Sequence, residues 1–234
     1  YSKASIVLRS HNLEHVIQGR IATGEKNFLK RPYRKFLAKQ LHEYEMAVLD
    51  RVDAVAAISP SDAQHFAEHG THTPIVTIPF AVEPSEYIVQ DRKPTDHVSF
   101  FHLGSMDWLP NEEGVRWLLH EVWPKVLEAR PQARLYLAGN KMPDEFLQLD
   151  LPGVNVRGRV KNAQSFMRDR DVMVVPLFSA GGMRVKIIEG MALGKPVIST
   201  PIGAEGIDHT VVNGQHFLDH GEHTGALAGR LLRG

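Results

Sequence analysis

Short apolar runs alternate with amphipathic stretches along the chain, an alternation typical of a parallel sheet covered by helices. The apolar runs end at glycine or proline, whereas the stretches between them have apolar residues three and four positions apart. The runs predict buried strands, and the stretches predict helices. The pattern therefore predicts an α/β fold built from βαβ units.

In the first part of the chain this pattern predicts three strands and two helices. The strands are expected at residues 5–9, 54–58 and 75–78, and the helices at 30–50 and 63–69. Residues 59–62, Ser-Pro-Ser-Asp, are a helix start signal, because a serine N-cap and a proline in the first turn both favour initiation. Residues 83–97 contain prolines and charges without periodicity, as a linker would.

From residue 98 onwards the alternation predicts a complete parallel sheet. Strands are expected at 98–104, 133–139, 154–158 and 172–176, with helices at 111–127 and 163–170. Gly104, Gly139 and Gly158 stand at strand ends, and the carboxyl edge of an open α/β sheet is where ligands bind. We therefore predict a partial domain at 1–82, a linker at 83–97 and a complete Rossmann-like domain at 98–234, with the ligand cleft between the domains.

Residues 172–207 are the most informative segment of the chain. They comprise an apolar strand, a glycine-rich turn, a helix, a tight turn and a second apolar strand. A turn of this kind presents backbone N–H groups and the positive end of a helix, which together suit a phosphate. Arg184 and Lys186 lie in the first turn of the helix, and Glu189 follows. Cations for the phosphates and a carboxylate for a ribose diol predict a sugar-nucleotide site.

Composition narrows the class of protein. Lys plus Arg and Asp plus Glu are equal at 27 each, so no overall charge attracts nucleic acid. The sequence has no cysteine, which excludes disulfides and thiolate metal sites and is compatible with a reducing cytoplasm. No apolar run reaches the roughly 18–20 residues that span a bilayer. Because the sequence begins with Tyr1, we expect it to start inside a longer protein.

Several motifs, in order, resemble a GT-B glycosyltransferase of family 4 (glycosyl transferases group 1). The C-terminal domain of that family resembles HLGSMDWLPNEEGVRWLLHEVWPKV, RLYLAGNKMP, PGVNVRGRV and the 172–207 segment. The later part of its N-terminal domain resembles SHNLEH, HEYEMAVLDRVDAVAAISPSDAQHF and TIPFAVE. The resemblance implies a GT-B-like fold, with a complete C-terminal domain preceded by an N-terminal domain that lacks its opening strands.

The resemblance implies transfer of a sugar from a nucleotide donor to an acceptor hydroxyl, in polysaccharide or glycoconjugate synthesis. Retention at the anomeric carbon, with no metal and no other cofactor, is expected. The donor is expected to be UDP- or GDP-linked, and the acceptor a carbohydrate or a lipid-linked sugar. Two alternatives remain open: a non-catalytic module that binds a sugar nucleotide or a partner, and a sugar-nucleotide epimerase. Product analysis separates transfer from isomerisation.

The donor-site residues carry over from the family one position at a time. Glu189 matches the second Glu of the family's E-x7-E signature, which holds the ribose hydroxyls, whereas Gly181 stands in place of the first. Because that first Glu often contacts the donor sugar, we expect the backbone N–H groups of Gly181, Gly182 and Met183 to address the donor instead.

A second set of positions is expected beside the diphosphate. Gly104 and Ser105 match the glycine turn after the first strand of the family's C-terminal domain. Relatives often carry an Arg just after this turn and a Lys further on, and this chain has neither there. We expect Arg184 and Lys186 to supply the missing charge, because a leaving diphosphate needs cations or N–H donors. The alternative is that they are surface charges at a helix start.

His11 is the candidate catalytic residue. It follows the first strand, where relatives often carry a His that faces the donor sugar. A His there can donate a hydrogen bond to a sugar hydroxyl or transfer a proton. The alternative is that it is one of several incidental histidines among the 13 in the chain.

Two metal-binding patterns are rejected. Asp169-Arg170-Asp171 spells the D-x-D of metal-dependent glycosyltransferases, but it precedes a strand and so lies at the wrong edge of the sheet. His11 and His15 are four residues apart and have no third ligand at the usual spacing. We therefore expect no metal site.

A basic stretch at residues 26–39 predicts contact with an anionic membrane. Its cations are Lys26, Lys30, Arg31, Arg34, Lys35 and Lys39, and its apolar residues are Phe28, Leu29, Tyr33, Phe36 and Leu37. Such a composition can lie on the inner membrane face, which would suit a lipid-linked acceptor. The alternative is a solvated helix whose apolar side packs on its own domain. We expect a cytoplasmic protein, with peripheral membrane contact through this stretch.

Overall fold

The computed structural model describes residues 4–25, 27–69, 71–89, 95–179, 183–204, 210–212, 215–219 and 222–223. The chain divides into two compact units. The described residues of the first unit fall within 1–80, 179–183 and 205–234, and those of the second within 81–178 and 184–204.

The first unit contains a parallel sheet of three strands with helices between them. Its elements are β1 (Val7–Ser10), α1 (Glu14–Gly24), α2 (Lys30–Leu49), β2 (Ala54–Ala57), α3 (Pro60–Glu68) and β3 (Ile75–Thr77). The strands are ordered β1-β2-β3, and both pairings are parallel. The predicted strands and both predicted helices are confirmed to within three residues. Leu13, Leu49, Val55, Ala57 and Phe66 form the core.

The first turns of α3 and α1 are capped in different ways, α3 by a residue of its own sequence and α1 by a residue of another helix. Ser59 caps α3, where its side chain accepts a hydrogen bond from the Asp62 N–H, as the start signal predicts. Helix α1 has Leu13 at its N-cap position and no side-chain cap of its own. Glu45 of α2 supplies the acceptors instead, at 3.0 Å from the Glu14 nitrogen and 2.9 Å from the His15 nitrogen. The carboxylate also suits the positive end of the helix.

Helix α1 is absent from the pattern-based prediction. It contains two glycines, Gly19 and Gly24, which disfavour helix formation, and its buried residues do not follow a regular spacing. Its stability therefore depends on packing against α2 and on the cap from Glu45, neither of which is visible in a local window of sequence.

The second unit contains a parallel sheet of five strands covered by helices. Its strands are β4 (Ser99–Leu103), β5 (Arg134–Ala138), β6 (Val154–Gly158), β7 (Val172–Val175) and β8 (Val197–Ser199). Its helices are α4 (Leu109–Trp117), α5 (Trp123–Ala129), α6 (Asp144–Leu147), α7 (Ala163–Arg168) and α8 (Val185–Ala192), with a short 3-10 turn at Pro84–Glu86. The predicted strands of this sheet are confirmed, whereas α6, a single turn, was not predicted.

The strand order β6-β5-β4-β7-β8 places a topological switch between β4 and β7. From β4 the chain proceeds outward to β5 and β6, and it then returns to add β7 and β8 on the other side of β4. Loops that leave neighbouring strands in opposite directions open a crevice at the carboxyl edge, where α/β sheets bind their ligands. The turn after β4 and the segment after β7 flank this point.

One long helix predicted at 111–127 is divided in the structure. A π-helical turn, Leu118–Val122, separates α4 from α5. Pro124 lies in the first turn of α5 and has no N–H, so it cannot continue the hydrogen-bond ladder of α4. The buried side of this helix pair packs on the sheet through Val115, Leu118, Leu119 and Trp123.

A small antiparallel sheet lies near the end of the chain. Its strands are β9 (Thr210–Val212), β10 (Gln215–Asp219) and β11 (Glu222–His223), ordered β11-β10-β9. These strands are short and contain polar residues, so the hydrophobic pattern did not predict them. Within the described residues, no helix is both long and apolar enough to cross a bilayer.

Candidate nucleotide-binding site

The carboxyl edge of β4 and β5 is formed by glycine backbones in direct contact. The Gly104 N–H donates to the Ala138 oxygen at 3.0 Å, and the Gly139 N–H donates to the Gly158 oxygen at 2.9 Å. A Cβ atom on Gly139 would lie 1.7 Å from the Gly104 oxygen. The prediction that Gly104, Gly139 and Gly158 share one edge is confirmed, and the edge admits no side chain at Gly139.

Asn111 ties the turn after β4 to the start of α8. Its Nδ2 donates to the Ser105 oxygen at 2.8 Å, and its Oδ1 accepts from the Lys186 Nζ at 2.8 Å. The side chain is buried in the first turn of α4. Sequence reasoning missed Asn111, although the Pro-Asn pair beside a glycine turn at a helix start was a usable signal.

Lys186 points its ammonium group at the glycine turn. Its Nζ lies 2.9 Å from the position that a Cβ on Gly104 would occupy. Burial, and then the positive charge of Arg184, lower the pKa of Lys186 to about 7. The group is therefore held where an anion would restore its charge, because an opposite charge nearby favours the protonated form.

Arg184 occupies the N-cap position of α8 and is only 6% exposed. The alternative that it is a surface charge at a helix start does not hold. Arg184 and Lys186 both lie at the start of α8, so two basic side chains accompany the positive end of this helix.

His102 lies in β4, two residues before Gly104, and is fully buried. Its Nδ1 donates to the Val174 oxygen of β7 at 2.9 Å, and its Nε2 has no hydrogen-bond partner among the described residues. Burial, and then the charge of Lys186, lower the pKa of His102 to about 3. The imidazole is therefore neutral and adds no charge to the site. The only sequence signal was a histidine inside an apolar strand.

Glu189 is held by a tyrosine that precedes the sheet in the chain. Its Oε1 accepts a hydrogen bond from the Tyr87 hydroxyl at 3.1 Å. Burial, and then the hydrogen bond and charge of Glu189, raise the pKa of Tyr87 above its usual value, so the hydroxyl remains a donor. Sequence reasoning found Glu189 and missed Tyr87.

The side chain of Ser105, a predicted donor-site residue, makes a local contact, in which its hydroxyl donates to the Asp107 carboxylate at 2.6 Å within the turn. Met183 is half-buried immediately before Arg184, and Gly181 and Gly182 lie outside the described residues. His11 is exposed and directly follows β1 in the first unit.

The D-x-D pattern has a structural role at the opposite edge of the sheet. Asp171 Oδ2 accepts from the Ser99 nitrogen at 2.8 Å and from the Ser99 hydroxyl at 2.6 Å. These bonds tie the start of β7 to the start of β4. The pattern therefore lies at the edge of the sheet opposite the glycine turns, as its position before a strand predicts.

Comparison with known proteins gives a family match over the second half of the chain. A family model described as Glycosyl transferases group 1 matches residues 97–233. By sequence, the chain is similar to an uncharacterized 44.6 kDa protein in the cps region of Klebsiella pneumoniae, with 21% identity over 212 residues. That match covers 86% of this chain and 52% of the other protein, so this chain spans about half the length of its curated relative.

Solved structures of similar architecture share the fold at low sequence identity. HepE of Anabaena, in complex with UDP-glucose, has a TM-score of 0.60 and 17% identity, over 93% of this chain and 59% of that chain. A TarM variant of S. aureus, in complex with Fondaparinux, alpha-GlcNAc-glycerol and UDP, has a TM-score of 0.56 and 17% identity, over 77% and 37%. At these identities the likeness shows the fold alone, which is of the GT-B class.

Proposed function

The chain belongs to the family of glycosyl transferases group 1, and from this premise we propose that its second unit binds a sugar nucleotide whose sugar the protein transfers to an acceptor hydroxyl. The observation that carries this proposal is the Lys186–Asn111–Ser105 connection at the switch between β4 and β7. It places a lysine ammonium group over a glycine turn at the sheet edge where α/β folds bind nucleotides.

The diphosphate would lie against the glycine turn, Lys186 and the start of α8. The Lys186 ammonium group lies beside Gly104, and Arg184 adds a buried cation at the start of α8. As the bond from the sugar to the diphosphate breaks, negative charge grows on the leaving phosphate. Preorganised cations stabilise that charge. The two cations thus support transfer without a metal, and we propose retention at the anomeric carbon because the family resemblance implies it.

The ribose would be held by Glu189. Tyr87 engages its Oε1, and a carboxylate has about four lone-pair sites, so acceptor capacity remains for a diol. The Tyr87 hydrogen bond also fixes the side chain in one orientation before the nucleotide arrives, which lowers the entropy cost of binding. We propose a UDP-linked donor ahead of a GDP-linked one, since HepE and TarM were both solved with a uridine nucleotide.

The donor sugar would be contacted from the backbone of one segment and by one histidine. We propose that the backbone of Gly181, Gly182 and Met183 contacts the donor sugar, since a glycine stands where relatives carry a glutamate. His11 is the proposed catalytic residue, in contact with a sugar hydroxyl. The acceptor is proposed to be a carbohydrate or lipid-linked sugar of polysaccharide or glycoconjugate synthesis in the cytoplasm.

Donor binding tests the ribose contact. We expect a uridine nucleotide to bind the parent protein, and to bind Glu189→Ala at least tenfold more weakly, or about 1.4 kcal/mol. Calorimetry with UDP, GDP, ADP and their sugar conjugates measures this. Glu128→Ala, an exposed carboxylate on α5, is the matched control and should leave affinity unchanged. Equal affinity of the parent and Glu189→Ala would contradict the assignment.

Product analysis then separates the candidate functions. Transfer of the sugar to an added acceptor supports the glycosyltransferase, whereas conversion of the donor alone would identify an epimerase. Nucleotide binding without either reaction would support the non-catalytic module.

We further propose that the start of α2 lies on an anionic membrane. Phe28, Tyr33 and Phe36 are 79%, 63% and 54% exposed, so more than half of each side chain is open to solvent. Lys30 and Lys35 are exposed among them. Exposed aromatic residues between cations match a bilayer interface, where the rings enter the headgroup region and the cations meet anionic lipid. Lys26 lies outside the described residues.

Charge reversal tests the membrane contact. Lys30→Glu, Arg31→Glu and Lys35→Glu combined should abolish binding to vesicles of phosphatidylcholine with phosphatidylglycerol, because each cation near such a surface contributes about 1 kcal/mol. Arg34 is left unchanged, since its Nε pairs with Glu25 at 2.7 Å.

The control for this measurement carries the same charge change elsewhere. Lys125→Glu, Arg130→Glu and Lys161→Glu alter three exposed cations of the second unit and should retain binding in a vesicle co-sedimentation assay. If the α2 variant sediments like the parent protein, α2 does not bind the membrane.

A further inference from the structure

Four histidine rings meet where the three helices of the first unit pack together. His15 lies on α1, His42 on α2 and His65 on α3, and His69 follows the end of α3. Neighbouring ring centroids are 4.6 to 5.0 Å apart, and those of His15 and His69 are 6.5 Å apart. These four residues form the histidine cluster.

Two of the four rings are anchored through Nδ1. The His15 Nδ1 lies 2.5 Å from Oε2 of Glu45, and the His69 Nδ1 donates to the His65 oxygen at 2.7 Å. Because Nδ1 carries the proton in both rings, the neutral form of each presents a lone pair at Nε2. The anchors therefore fix which nitrogen is available to the rest of the cluster.

The cluster is closed by two contacts between Nε2 atoms. The Nε2 atoms of His15 and His65 are 3.0 Å apart, and those of His42 and His69 are also 3.0 Å apart. Such a contact is a hydrogen bond only when one nitrogen carries a proton and the other a lone pair. Neutral rings meet this condition in both pairs, with His65 and His42 as the donors.

Protonation of the rings disrupts these two Nε2 contacts in steps. One added proton per pair is tolerated, because a doubly protonated ring can donate to the lone pair of its neighbour. A second proton leaves two N–H groups facing each other at 3.0 Å on two positive rings. Like charges at this separation repel, and neither nitrogen keeps a lone pair that could accept a hydrogen bond.

We propose that the histidine cluster is a proton-operated switch, which holds α1, α2 and α3 together when its rings are neutral and loosens their packing when both rings of a pair are protonated. The cluster joins all three helices, so the loss of either pair contact weakens a tertiary interface. Glu45 links the cluster to the helix start, since the same carboxylate caps α1.

The charged groups around the cluster do not cancel this response. The charged side chains within four residues of a cluster histidine on these helices are Glu14 of α1, Lys39, Glu43 and Glu45 of α2, and Asp62 and Glu68 of α3. Carboxylates favour protonated rings, but burial and then the charges of neighbouring histidines lower the pKa of His42 and of His65 below the usual value. Burial and histidine repulsion therefore prevail at these two rings.

The sign of the pH response follows from these shifts. A histidine whose folded pKa is lowered binds fewer protons in the native state than in the unfolded state. The stabilisation is complete above the unfolded pKa of about 6.5, and it is lost as the pH falls below that value. The switch therefore acts in the mildly acidic range.

A metal ion is the competing ligand for such a cluster. Rings anchored at Nδ1 with free Nε2 atoms are also typical of metal ligands. Within the described part of the chain, however, no group of three or more His, Asp or Glu side chains is arranged to hold an ion. The proton is therefore the proposed ligand, and zinc is included as an arm of the test.

Hydrogen exchange of the full chain at pH 7.5 and pH 5.5 tests the switch. Below about pH 6.5, the opening equilibrium of α1–α3 peptides rises by up to about tenfold per unit fall in pH for each proton taken up on opening. After correction for the intrinsic rate, we expect this rise to be smaller in His42→Gln combined with His65→Gln than in the parent protein. His72→Gln, an exposed histidine of the same unit, should keep the full response.

Two results would overturn the proposal. One is an equal pH response in the parent protein and the double variant. The other is protection of α1–α3 by one equivalent of Zn²⁺ at pH 7.5 that the double variant lacks, which would identify a metal site. If the double variant does not fold, NMR titration of the parent histidines decides: His42 and His65 should titrate below pH 6.5, and ordinary titration of both refutes the switch.

Discussion

Replacing Lys186 with alanine should weaken binding of a nucleoside diphosphate by about 10- to 150-fold, the equivalent of about 1.5–3 kcal/mol for a hydrogen bond to a charged group. The ammonium group lies over Gly104 and is positioned by Asn111, so the unchanged site needs little rearrangement to meet a phosphate. Lys125→Ala, an exposed lysine on α5, is the matched control. Calorimetry with UDP at pH 7 measures both variants.

The pH dependence of this binding shows whether the charge of Lys186 is responsible. Burial and Arg184 lower its pKa to about 7, so the group is largely uncharged in the free protein at higher pH. An anion favours the charged form, and binding above pH 7 must therefore take up a proton. The Kd should rise with pH, approaching a tenfold rise per pH unit above about pH 8, where phosphate groups are almost fully ionised.

Lys186→Ala should remove this pH dependence between pH 7 and pH 9. A variant that binds UDP as tightly as the parent, or that keeps the same rise in Kd with pH, would show that Lys186 does not contact the diphosphate. The structural role of Lys186, its bond to Asn111, would not produce proton uptake on binding, so the pH profile separates the two roles.

Replacing Gly139 with alanine should have the largest effect on stability, a loss of more than about 3 kcal/mol, which exceeds ordinary overpacking of a core. The new Cβ would lie 1.7 Å from the Gly104 oxygen and 2.7 Å from the Gly104 carbonyl carbon. Both atoms belong to the backbone, so no side-chain rotation can relieve the clash. The strands β4 and β5 must separate at the edge that forms the proposed diphosphate site.

Gly19→Ala is the matched control for this substitution. Nothing lies within 4 Å of a Cβ at Gly19, which is inside α1, and alanine there should stabilise the protein by about 0.5–1 kcal/mol. Urea unfolding monitored by circular dichroism measures both variants, and calorimetry shows whether Gly139→Ala also loses UDP. A Gly139→Ala protein within 1 kcal/mol of the parent would mean that the two backbones are not in contact.

Features encoded within a few residues were predictable from the sequence. The cap of α3 by Ser59 and the alternation of strands and helices depend on periodicity and on turn chemistry, which act over one or two helical turns. Gly139 shows how far such local signals extend. Its place at a strand end predicted a position at the ligand-binding edge, but only the neighbouring strand explains why no other residue fits there.

The sequence by itself determined the α/β class, the positions of the strands in both parallel sheets and the two basic residues at the start of α8. Tertiary structure alone decided which distant side chains complete the candidate site. Asn111 and Lys186 are 75 residues apart, and Tyr87 and Glu189 are 102 apart. Their contacts depend on the strand order, which reverses beside β4 and brings the turn after β4 next to α8. Local propensities act over a few residues and carry no information about that order, whereas burial of both sheet faces selects it.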